Sequence, residues 1–69
     1  MTPPEAQVLE AVRAYIAKHG YSPSTRDLMA ATGVPSSSTI HRRLAALQRL
    51  GLITQEPHKV RTVRLTQPA

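Results

Sequence analysis

Residues Pro35 to Leu50 read PSSSTIHRRLAALQRL, and the spacing of their apolar members decides the fold. At roughly 100° per residue, Ile40, Leu44 and Leu47 fall within about 40° of one line, which predicts a helix with one apolar stripe. Ser38, Arg42, Ala45 and Arg49 lie on the opposite side. That outer face is cationic, has small residues at its front, and carries no acid. Such a face is either a solvated surface or one aimed at an anion. Pro35 cannot continue a helix but suits the approach to a cap, and Ser36 or Ser37 supplies the cap.

Upstream, a shorter helix is expected after the extended segment Tyr21-Ser22-Pro23. Ser24 caps it, and Asp27 places a negative charge in its first turn. Leu28 and Ala31 are expected to form its small buried face, flanked by Met29. Gly33 stops it, and Val34 tucks into the core on the way to Pro35. Further back, Thr2-Pro3-Pro4-Glu5 is a helix start with a cap, a proline in the first turn and a capping-box acid. Val8, Leu9, Val12 and Ile16 follow at helical spacing, with Tyr15 beside the stripe. His19 and Gly20 end this first helix, and Lys18 and His19 sit where the helix dipole favours cations.

Downstream, Gly51 terminates the third helix. Leu52 to Glu56 reads as a short strand, Pro57-His58-Lys59 as a turn, and Val60 to Leu65 as a second strand with Val63 and Leu65 on one face. Two strands are not stable alone, so this hairpin must pack on the helices. Residues 66–69 are expected to fray.

Sixty-nine residues make one domain, which buries only about 60% of the surface its unfolded chain would expose. A deep substrate pocket is not expected. With no Phe, Trp or Cys, the core must be aliphatic, and thiolate metal sites and disulfides are excluded. No apolar run approaches the roughly 18 residues of a membrane span, and the start MTPPEAQ is unlike a signal peptide. A cytoplasmic protein is expected.

The formal net charge is +5 and the sequence pI about 10.9, and the charge is uneven. Arg42, Arg43, Arg49, Lys59, Arg61 and Arg64 lie beyond residue 40, against the single acid Glu56. Such a distribution points to one polyanion-facing side. Arginine outnumbers lysine seven to two, which favours bidentate recognition of phosphate or base edges.

Two short helices joined by Gly33-Val34-Pro35, with a basic hairpin behind them, resemble a winged helix-turn-helix, whose third helix would enter the DNA major groove. The fold class expected is a small α+β, three-helix domain with a two-stranded antiparallel wing, spanning residues 1–69. Four further matches narrow the resemblance. Tyr21-Ser22-Pro23-Ser24-Thr25-Arg26-Asp27-Leu28, then Ser36-Ser37-Ser38-Thr39-Ile40-His41-Arg42-Arg43-Leu44, then Leu47 to Ile53 through Gly51, resemble the N-terminal domain of LexA-type repressors of the bacterial SOS response. Pro57-His58-Lys59 with Arg61 resembles that family's wing turn. Ser38-Thr39-Ile40-His41-Arg42 is closer to the branch of Gram-positive bacteria and actinobacteria than to the proteobacterial one. The resemblance implies a bacterial or phage-encoded repressor. Members of that family continue into a peptidase domain with a serine-lysine dyad, none of whose residues is among these 69, so self-cleavage is not expected to carry over.

An enzyme is not expected. Capping explains Ser36, Ser37 and Ser38, and a nucleophile needs a base in reach. His19, His41 and His58 are 22 and 17 residues apart, without ligand-like pairing, so neither metal nor cofactor is expected. DNA-contacting roles fall instead to Ser36, Ser37, Ser38, Thr39, His41, Arg42, Ala45, Arg49, Lys59 and Arg61. Arg42 suits guanine O6 and N7, Ser38 and His41 suit base edges or phosphate, and the Thr39 methyl suits thymine. Ala45 permits close approach, Arg49 reaches phosphate, and Lys59 and Arg61 reach backbone or minor groove. Arg43 is expected to snorkel, and Arg13, Arg26 and Arg64 to decorate the surface. Tyr21 is expected to pack rather than stack on a base. The expected partner is double-stranded DNA, a palindromic operator bound by two weakly associating copies. The competing expectation is a protein-interaction module of the same fold that touches RNA polymerase or a full-length repressor.

Overall fold

The computed structural model describes residues 2–56 and 63–66. Three helices, α1 (Pro3–His19), α2 (Thr25–Thr32) and α3 (Ser37–Arg49), precede two short strands, β1 (Ile53–Thr54) and β2 (Arg64–Leu65). The strands pair antiparallel, Ile53 with Leu65 and Thr54 with Arg64. This is the small α+β, winged-helix architecture the sequence predicts. No helix among the described residues is long and apolar enough to cross a membrane.

Each helix begins where a side chain can satisfy its free amides. At α1 the Thr2 amide donates to Glu5 Oε1 at 3.1 Å. At α2 the Ser24 amide donates to Asp27 Oδ2 at 2.9 Å, and Ser24 Oγ accepts from the Asp27 amide at 3.2 Å. These are the two reciprocal bonds of a capping box. At α3 the cap is Ser36, whose Oγ accepts from the Thr39 amide at 3.3 Å.

The helix ends are equally local. Gly20 and Gly33 close α1 and α2 with left-handed φ of 78° and 74°. After α3 the Gly51 amide donates to the Gln48 carbonyl at 3.0 Å and the Leu52 amide to the Leu47 carbonyl at 3.0 Å. These two bonds form a Schellman motif around Gly51, whose φ is 77°. The motif turns the chain so that Ile53 enters the core directly. Among the described residues nothing lies within 4 Å of a Cβ added at Gly51, so backbone strain is what opposes a side chain there. Gly51→Ala is expected to cost roughly 1–2 kcal/mol of stability, checked by urea denaturation.

Val8, Leu9 and Val12 of α1, Leu28 of α2, Ile40, Leu44 and Leu47 of α3, and Ile53 and Val63 form the core. Ile16, Met29, Val34, Leu52 and Leu65 pack against it from the rim. This matches the apolar spacing except on three counts. Ala31 is exposed rather than buried. The inner face of α2 is centred between Leu28 and Thr32, and Ala31 lies about 80° from that centre at about 100° per residue, on the side away from Met29. Conversely, Ala46 is buried. Because α3 packs against α1, α2 and β1 at once, its covered arc is wider than the Ile40-Leu44-Leu47 stripe. Pro23, expected only as part of a linker, is fully buried.

The strand of residues 52–56 shrinks to Ile53–Thr54, and the second strand is described only at Arg64–Leu65. The expected turn at Pro57-His58-Lys59 lies outside the described residues. Thr66, assigned to a fraying tail, is tied down. Its amide donates to the Leu52 carbonyl at 3.2 Å and its hydroxyl to the Gly51 carbonyl at 2.6 Å. Residues 67–69 lie outside the described part.

Candidate nucleic-acid interface

With Ile40, Leu44 and Leu47 turned inward, the other side of α3 is committed to solvent. Ser37, Ser38, His41, Arg42, Ala45 and Arg49 are all exposed. No acid lies in the first turn of α3, and Arg49 is in its last. The first amides of the helix present positive partial charge at the same end as Ser37 and Ser38. Three kinds of donor, hydroxyl, imidazole and guanidinium, therefore line one helix whose opposite side is locked in the core.

Two of the sequence-selected residues have less freedom than this. Ser36 is half-buried and its oxygen is engaged in the cap, which leaves its O–H as its outward donor. Thr39 is half-buried as well. Lys59 and Arg61 lie outside the described residues. Arg43 is half-buried at the edge of the apolar stripe, as expected of a snorkelling side chain, whereas Arg13, Arg26 and Arg64 are exposed.

A contact absent from the sequence reading joins the two helices of the motif. Thr25, the first residue of α2, places Oγ1 2.9 Å from His41 Nε2 in α3. The two residues are sixteen apart in the chain, and no local periodicity links them. A hydroxyl at the start of α2 and an imidazole in the second turn of α3 would be the signal, legible only once the crossing of the helices is known.

His19 is placed structurally. Its ring lies 4.2 Å from that of Tyr15 and 5.6 Å from that of Tyr21, and Tyr21 meets Tyr15 edge-on at 5.7 Å. The cluster closes the end of α1, so Tyr21 packs although half of it is exposed. A shallow groove of about 450 Å³ beside it is lined by Ile16, Gly20, Tyr21, Ser22 and residues 63–65. None of the outer residues of α3 lines it.

The LexA DNA-binding domain model matches residues 1–62. Among curated relatives, the LexA repressor of Moorella thermoacetica is 38% identical over 99% of this chain. Those of Brevibacillus brevis and Bacillus subtilis are 41% and 38% identical over 84% and 88% of it. These matches cover 33%, 28% and 30% of the relatives' lengths, so the chain spans about a third of the repressors it resembles. The fold, the capped α3 with its basic outer face and the extent of the match agree, and the chain belongs to the LexA DNA-binding domain family.

Proposed function

We propose that this chain binds double-stranded DNA sequence-specifically, as the DNA-reading part of a LexA-like transcriptional repressor. The outer face of α3 carries the reading. Its exposed Ser37, Ser38, His41, Arg42, Ala45 and Arg49 match what a major groove accepts: small residues for approach, donors for base edges, cations for phosphate. Arg42, one turn into α3, reads a guanine; Ser38 and His41 bond neighbouring edges or phosphates; Arg49 grips the backbone. Lys59 and Arg61 supply backbone or minor-groove contacts from the wing. Occlusion of a promoter is the simplest route from such binding to repression.

Two copies meet on a palindromic operator rather than in solution. Tyr21 and Leu50 are the large apolar residues left exposed among the described ones, too little for a tight apolar seam.

The test is selection of duplexes from a random pool, followed by titration of the selected and a scrambled duplex at several salt concentrations. A recovered inverted repeat, with affinity falling steeply with salt, is the expected result. Sedimentation of the free chain should show monomer at tens of micromolar, and two copies per duplex on the selected site. A pool that converges on no sequence would remove the specific-binding reading. Salt-insensitive capture of a transcription protein would favour the protein-interaction role.

A further inference from the structure

We propose that Thr25 is a positioning residue for sequence reading: from α2, it sets which edge of the His41 ring faces the DNA. The proposal rests on the reading of α3 as the DNA-contacting helix. The observation is the 2.9 Å contact between Thr25 Oγ1 and His41 Nε2. A neutral imidazole has one donor and one acceptor nitrogen, and which is which depends on the bond made by the other. With Nε2 held by the hydroxyl, Nδ1 is the nitrogen left for a base edge or phosphate. If Thr25 donates to Nε2, Nδ1 carries the proton and seeks an acceptor. If Nε2–H donates to Thr25, Nδ1 accepts, and the Thr25 hydroxyl proton is turned outward instead. Either way a ring that would rotate freely on an exposed helix face is held in one orientation.

The geometry makes such a hold effective although the pair is exposed. Both residues stand on capped helices that share the core through Leu28 and Ile40, so the backbones do not move to make the bond. Thr25 is β-branched and half-buried, with its χ1 restricted by the helix. Only the two torsions of His41 are ordered, a small entropy cost before DNA arrives. The cost of orienting His41 is then met in the free protein and not at the duplex, which strengthens the correct site over others.

Thr25→Val keeps the shape and removes the hydroxyl; Thr25→Ser restores it. In the free protein, long-range ¹H–¹⁵N correlation of the His41 ring should show one dominant tautomer in the wild type and in Thr25→Ser. In Thr25→Val the ring nitrogens should move towards the averaged values of an unconstrained imidazole. The melting temperature should stay the same. On the selected duplex Thr25→Val should bind about 3- to 10-fold more weakly, the loss of one hydrogen bond's worth of organisation, with binding to scrambled duplex unchanged. In a His41→Ala background the same substitution should have no further effect. Ring signals indifferent to Thr25→Val would overturn the proposal, as would an equal loss in the His41→Ala background, which would mean that Thr25 acts without His41. The free-protein spectra need no DNA, so a failure of the DNA-binding reading shows itself separately, as absence of any duplex preference in the wild type.

Discussion

Leu44→Ala should destabilise the domain by about 2–5 kcal/mol, the range for a leucine truncated inside a packed core. Leu44 is 2% exposed and belongs to the cluster that joins α1, α2 and α3. The core around it is entirely aliphatic, with no aromatic ring to relax into the space. A domain of this size has only about 5–15 kcal/mol to lose, so the variant should be close to unfolding at ordinary temperature. At about 4–8 °C per kcal/mol for such a domain, the melting temperature should fall by on the order of 10 °C or more. A melting temperature within a degree or two of wild type would mean that α3 is rotated from the orientation described. Because Arg42 and Ala45 face away from the core, the same α3 frame ties this stability result to the position of the proposed reading face.

The second large effect separates reading from gripping. Arg42 is exposed one turn into α3, away from Ile40, Leu44 and Leu47, and the proposed function sets its guanidinium against base edges. Arg49 is exposed in the last turn, and the proposed function assigns it to backbone phosphate. Arg42→Ala should remove roughly 1–3 kcal/mol from binding of the selected duplex, little from a scrambled one, and relax preference at one base pair. Arg49→Ala should weaken both duplexes alike and lower the salt slope by about one ion. Titrations of both variants at several salt concentrations, with a duplex series substituted at single base pairs, distinguish the two patterns. Equal weakening of both duplexes by Arg42→Ala would mean that α3 does not read sequence through that residue.

Both effects depend on features of different origin. The helices, their starts at Thr2, at Ser24 and at one of Ser36 and Ser37, and their stops at Gly20, Gly33 and Gly51 were legible in the sequence; the structure makes Ser36 the cap of the third. Capping and left-handed termination involve residues within about four positions of each other, and such signals survive without tertiary context. The inward stripe of α3, and with it the outward set Ser38, Arg42, Ala45 and Arg49, was legible for the same reason, since a period of 3.6 orients every side chain once one face is known.

How much of each face is covered was decided by the neighbours. Ala31 and Ala46 are alike in chemistry, yet one is exposed and one buried, because α2 is covered on a narrow arc and α3 from several sides. Pro23 carries no periodic signal, and only the packed chain shows it filling the interior. Thr66 looked like a loose tail until the turn at Gly51 brought two carbonyls within its reach. The pairing of Thr25 with His41 belongs to the same class. Its two ends are set by local helix signals, but the 2.9 Å between them exists only because α2 and α3 cross where the shared core makes them cross.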